Sequence, residues 1–154
     1  MGLAEAYSDL ARLDLTHEKE ALQFLDRMYQ TFPENPKGDP AFAFTHFKMP
    51  QGYEGVVYLN LNQPSKAWEA LAQVDRSTPT LIVPDRVELT IRQAKASVAL
   101  ENLEQSKTYL ERAVDSAKKL GSQLRRNESY GVYQQMLSKW PNEQQVKELA
   151  ELFR

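Results

Sequence analysis

The stretch "GYEGVVYLNLNQPSKAWEALAQVDRSTP", Gly52–Pro79, decides the fold. A small residue, Gly55, is followed three places on by Tyr58; Ala67 comes nine further on, and Leu71 four after that. Spacings of three and four put side chains on one helix face. Pro64 suits the first turn of a helix, where a missing N–H costs nothing. The stretch therefore reads as two antiparallel helices, 51–61 and 64–76. Helix axes approach to about 8 Å only where side chains are small. Gly55 and Ala67 supply that contact, and Tyr58 and Leu71 fill the space around it.

Helical spacing continues outward from this hairpin. In "EKEALQFLDRMYQTF" the apolar stripe is Ala21, Leu22, Leu25, Met28, Tyr29 and Phe32. In "LEQSKTYLERAVDSAKKLG" it is Leu103, Leu110, Ala113, Val114, Ala117 and Leu120. Breakers separate the elements, chiefly "PENPKGDP" over Pro33–Pro40 and "STPTLIVPD" over Ser77–Asp85. Asp85 with Glu88, Asn102 with Gln105, and Asn142 with Gln145 have the spacing of capping boxes. Gly121 closes a helix with Lys118 and Lys119 in its last turn. The expectation is an all-α chain of about seven or eight helices in four hairpins: 2–13 with 17–32, 51–61 with 64–76, 86–101 with 103–120, and 122–139 with 143–153. "AFAFTHFKM", Ala41–Met49, is apolar enough to pack and stays open between a short helix and a loop.

The order Gly-x-x-Tyr, then Ala-x-x-x-Leu, then Pro79 resembles the tetratricopeptide repeat. Gln51 and Glu54 stand where that pattern prefers Trp and Leu. The unit recurs: Ala94, Ser106 and Leu110 take the places of Gly55, Ala67 and Leu71, and Ala21, Leu25 and Pro33 match a second half-unit. Ala21 to Ala67 is 46 residues and Ala67 to Ser106 is 39, so the linkers exceed the usual spacing of about 34. The resemblance implies an α-solenoid over 1–154. "GYEGVVYLNLNQPSKAWEAL", "NLEQSKTYLERAVDSAKKLGS" and "WPNEQQVKELAELFR" together resemble the C-terminal repeat region of bacterial Xre-type helix-turn-helix transcriptional regulators. That implies a sensing or regulatory module binding a protein or peptide.

Composition narrows the function classes. At 154 residues with 26% charged side chains the chain suits one globular domain. Nineteen basic against 21 acidic residues give a net charge of −2, unlike the basic balance of a free-standing nucleic-acid binder. Without cysteine there is neither disulfide nor thiol chemistry, and a cytoplasmic location is expected. "MGLAEAYSDLARLDL" is no signal peptide, nor does any apolar run reach the length of a membrane span. Ala6 stands where N-myristoylation needs Ser or Thr.

Chemistry finds little support. His17 and His46 are 29 residues apart, with no zinc-binding spacing, and there is no nucleophile elbow or phosphate loop. Glu18, Glu20, Glu143 and Glu148 sit among lysines on helix faces. The sequence thus predicts no catalytic residue, metal or cofactor. Binding fares better, because the first helices of successive repeats line a concave groove. The candidates there are Tyr53, Val56 and Asn60, then Glu88, Ile91, Arg92 and Lys95, with Arg126 and Tyr133 beyond. Lys118, Lys119, Arg125 and Arg126 form a basic cluster that reads as helix-end stabilisation or an anion site, and Trp68 and Trp140 read as packing residues. The competing expectation is self-association, the module dimerising a separate DNA-binding domain.

Overall fold

The computed structural model describes residues 2–11, 17–31, 50–77 and 83–154. The expectations on Phe32, on the breaker Pro33–Pro40, on Ala41–Met49 with His46, and on Pro79 lie outside them. Among the described residues all regular structure is helical: α1 (Gly2–Ala11), α2 (Glu18–Thr31), α3 (Pro50–Asn60), α4 (Pro64–Ser77), α5 (Val83–Ala99), α6 (Leu103–Leu120), α7 (Gln123–Lys139) and α8 (Gln144–Glu148). The last runs on as a 3-10 turn over Leu149–Phe153. The chain divides into two compact units, Met1–Leu81 and Ile82–Arg154.

Within each unit the packing order is repeat-like. In the N-terminal unit α1 pairs with α2 and α3 with α4, and α3 also packs on both α1 and α2. In the C-terminal unit α5 pairs with α6, and α7 packs on both. A helix that meets both members of the preceding hairpin is how stacked repeats bury a continuous core. The N-terminal core gathers Ala11, Ala21, Leu25, Met28, Val57 and Leu61. The C-terminal one centres on Val87, Ile91, Ala94, Leu110, Val114 and Met136.

The small-residue seam lies where the sequence put it. Ala67, Leu71, Ala94, Ser106 and Leu110 are fully buried. A Cβ added to Gly55 would lie 2.6 Å from Cγ and Cδ2 of Leu71 and 3.5 Å from the Ala67 carbonyl oxygen. A side chain there would force Leu71 to move. Ser106 serves in alanine's place because its hydroxyl donates to the Asn102 carbonyl at 2.6 Å, so the buried oxygen is satisfied within its own helix.

Three hairpin turns share one device. Asn62 (φ 54°), Glu101 (φ 60°) and Gly121 (φ 68°) are left-handed residues just beyond α3, α5 and α6. Behind each, the next N–H reaches back to a carbonyl of the last turn: Gln63 to Tyr58, Asn102 to Ser97, Ser122 to Ala117. This closes otherwise orphaned carbonyls. Asn102 then caps α6 by accepting from the Gln105 N–H at 3.1 Å, and Ser122 caps α7 by accepting from Arg125.

Two expected caps are corrected. α5 begins at Val83, so Asp85 sits inside its first turn instead of ahead of it. α8 begins at Gln144 after Glu143, which makes no side-chain cap bond, so Asn142 with Gln145 is not a capping box. The terminal helix of 143–153 is a five-residue α8 and a 3-10 turn, in which Val146 and Leu149 are buried against the core. Among the described residues no helix is long and apolar enough to cross a membrane.

Candidate functional site

α5 is mostly buried. Val87, Leu89, Thr90, Ile91, Gln93, Ala94, Ala96, Ser97 and Val98 point inward, and Ile91, a candidate for the open face, is among them. Beyond the first turn its accessible surface is a half-buried stripe carrying Glu88, Arg92 and Lys95. The spacings of four and three keep these three on one side. The sequence-predicted residues of α5 therefore do come together.

They are also engaged. Glu88 accepts from Arg92 four residues on and from Arg125 of α7, 37 residues away in sequence. Arg125 donates in turn to Glu128 at 2.7 Å. Side-chain exposure at Glu88, Arg92 and Arg125 is only 17–19%, so these pairs are better shielded than surface ones. Burial works to lower the Arg125 pKa. The Glu128 hydrogen bond and the charges of Glu88 and Glu128 overcome it, and the guanidinium is held above its ordinary value. Lys95 has an interaction partner as well. The result is two guanidiniums, Arg92 and Arg125, held together by the Glu88 carboxylate, with Glu128 also on Arg125.

The other candidates divide. Arg126 is half-buried in the first turn of α7. Tyr133 lies in the core, its ring 5.5 Å from that of Phe153, so it is a packing residue. In the N-terminal unit Tyr53 packs against the core, and Val56 is half-buried. Asn60 is tied down, its amide donating to Ser8 Oγ at 3.0 Å and Asp9 Oδ1 at 2.8 Å, which joins α3 to α1. The basic cluster splits too. Lys119 pairs with Asp115 at 2.8 Å on the exposed side of α6, while Arg125 belongs to the network. Trp140 packs on the C-terminal core.

The N-terminal unit carries a feature that the spacing did not announce. Tyr29 of α2 donates its hydroxyl to Glu54 of α3, the residue standing where the repeat pattern prefers Leu. Beside it an open groove of about 540 Å³ is lined by Glu54, Tyr58, Lys66, Glu69, Gln73 and Arg76. The Lys66 ammonium lies 5.2 Å from the centre of the Tyr58 ring. Tyr29 is pushed well above the ordinary phenol range and Tyr58 is raised in the same direction, in both cases first by burial and then by Glu54.

A phenol that holds its proton more tightly when folded contributes stability below its unfolded pKa of about 10 and loses it as pH rises through the folded value. Tyr29→Phe is therefore expected to flatten the alkaline side of the stability profile, from about pH 10 upward. Tyr58 still titrates, so the flattening is partial. Fluorescence of Trp68 as a function of pH, in a Trp140→Phe background, reads this in the N-terminal unit alone.

His17 is half-buried with its ring 6.0 Å from that of Tyr7. Glu18 accepts from Gln63 at 2.9 Å. Among the described residues no group of three or more His, Asp or Glu could hold a metal ion. Compared with protein-family models, with curated proteins and with solved structures, the chain finds no match.

Proposed function

We propose that the protein is a non-enzymatic helical-repeat module of the tetratricopeptide type. Its role would be to bind a peptide or protein segment through an acidic side chain or a terminal carboxylate. The observation that carries this reading is the α5 stripe, where Arg92 and Arg125 converge on Glu88 with Lys95 one turn further along. A guanidinium presents its N–H donors in a fixed planar fork that matches the two oxygens of a carboxylate. Because the internal pairs already order these side chains, less rotamer entropy is lost when a ligand carboxylate arrives. The wider reading, that the module is the sensing part of a bacterial transcriptional regulator without direct contact to nucleic acid, rests on the resemblance of the repeat segments and on the net charge of −2.

A peptide array presenting each sequence with a free and with an amidated C-terminus tests it. Free-carboxylate or acidic peptides should bind, and Lys95→Ala should weaken them by about tenfold, the scale of one lost charge-assisted contact. Lys95 is the better probe, since Arg92→Ala would also disturb Glu88. Binding that ignores both the carboxylate and Lys95 would overturn the reading.

A further inference from the structure

The exposed face of α7 differs in kind from that of its neighbour. On α6 the exposed residues include Glu104, Glu111, Arg112, Asp115, Lys118 and Lys119. On α7 the exposed residues are uncharged from Gln123 to Ser138, and the one exposed charge, Lys139 at its end, pairs with Glu101 at 3.1 Å. The charges that α7 does carry in this stretch, Arg125, Arg126 and Glu128, are half-buried on its flank. At 100° per residue the face runs through Leu124, Asn127, Tyr130, Gly131, Gln134 and Gln135. Leu124 is 62% and Tyr130 47% exposed. Gly131 sits at the middle of this run, and a Cβ built on it meets nothing within 4 Å. Nothing among the described residues requires glycine there, although glycine in a helix interior costs about 0.5–1 kcal/mol relative to alanine.

We propose that this face pairs with the same face of a second copy of the chain, the two α7 helices crossing at Gly131. Depletion of charge with retention of Tyr is the composition of an interface centre. A glycine at the crossing lets two backbones approach closely. The occupant follows from self-complementarity. A two-fold contact sets each residue opposite its own equivalent or near it, so a charged face would oppose like charges. This face has none. Its Asn127, Tyr130, Gln134 and Gln135 side chains each carry both a donor and an acceptor, so each can bond to a copy of itself. A charged ligand, by contrast, finds no counter-charge here; the α5 stripe is the charged surface. One helix face is smaller than a standard interface, so the dimer is weak and reversible.

Sedimentation velocity on the full chain, from about 5 to 500 µM, tests the pairing by mass action. The wild type should shift from monomer to dimer across the range. Gly131→Glu and Gly131→Lys should each raise the dimer dissociation constant about tenfold or more by opposing like charges, and an equimolar mixture of the two should restore association. Neither variant endangers the fold, because the position is open and both residues form helix better than glycine. A wild type monomeric throughout, or association unchanged in Gly131→Glu, overturns the proposal. Loss without rescue in the mixture puts a different surface opposite α7 and overturns the symmetric pairing as well.

Discussion

Gly55→Ala is expected to destabilise the N-terminal unit by about 1–2 kcal/mol, while the same change at Gly131 stabilises the C-terminal unit by about 0.5–1 kcal/mol. Both positions lie inside helices, so both gain the same intrinsic propensity from the methyl group. What differs is the room. At Gly55 the new Cβ would sit 2.6 Å from both Cγ and Cδ2 of Leu71, so the whole branch of that side chain, and not its tip alone, must move. Leu71 is fully buried, so displacing it disturbs close packing on all sides. At Gly131 the methyl group enters open space.

A double-mutant cycle isolates the cause. Leu71→Ala alone should cost about 2–5 kcal/mol as a buried leucine truncation. In that background Gly55→Ala should cost nothing, because the atoms it strikes are gone. The measurement is denaturant unfolding followed by Trp68 for the first unit and Trp140 for the second, each in a variant lacking the other tryptophan. The Gly131 comparison belongs at low concentration, where the chain is monomeric. Equal cost of Gly55→Ala in both Leu71 backgrounds would mean that the seam is not where the helices meet.

That seam was legible in the sequence because it depends on residue size at short, fixed spacings. Gly55, Ala67 and Leu71 lie within one hairpin, and helical period alone brings them together. Ser106 was legible in alanine's place for the same reason, being small and able to satisfy its own hydroxyl. The α3–α4 and α5–α6 turns gave no comparable signal: Asn62 and Glu101 adopt the left-handed conformation that Gly121 advertises, and glutamate there carries no sequence mark. The end of the chain misled, since a helical pattern over 143–153 cannot say that the last turns tighten into 3-10 geometry.

The candidate surface was legible by face but not by partner. Periodicity put Glu88, Arg92 and Lys95 on one side of α5. That Arg125 reaches Glu88 from 37 residues away depends on how α7 docks, which no local spacing encodes. Tyr133 shows the converse failure. An aromatic residue on a first helix fits a groove or a core equally well as a pattern, and docking of the terminal 3-10 turn, with Phe153 against its ring, makes it core.

Glu88 is the residue on which the C-terminal network turns, and Glu88→Gln should cost about 1–3 kcal/mol in the unfolding of that unit. The substitution keeps the size and removes the charge that holds two guanidiniums together. Arg92 and Arg125 would then face each other across a neutral amide at sites where water screens them poorly. Arg92→Ala should cost less, because Glu88 keeps Arg125 and Arg125 keeps Glu128. Adding Arg92→Ala to Glu88→Gln should recover part of the loss by relieving the repulsion, a coupling opposite in sign to simple addition. Salt supplies a second signature. Screening weakens repulsion between the stranded arginines, so the penalty of Glu88→Gln should shrink between about 0.05 and 1 M salt. If Glu88→Gln and Arg92→Ala cost the same and neither responds to salt, Glu88 is an ordinary surface acid. The stripe on α5 would then lose the pre-ordering on which its proposed capture of a carboxylate depends.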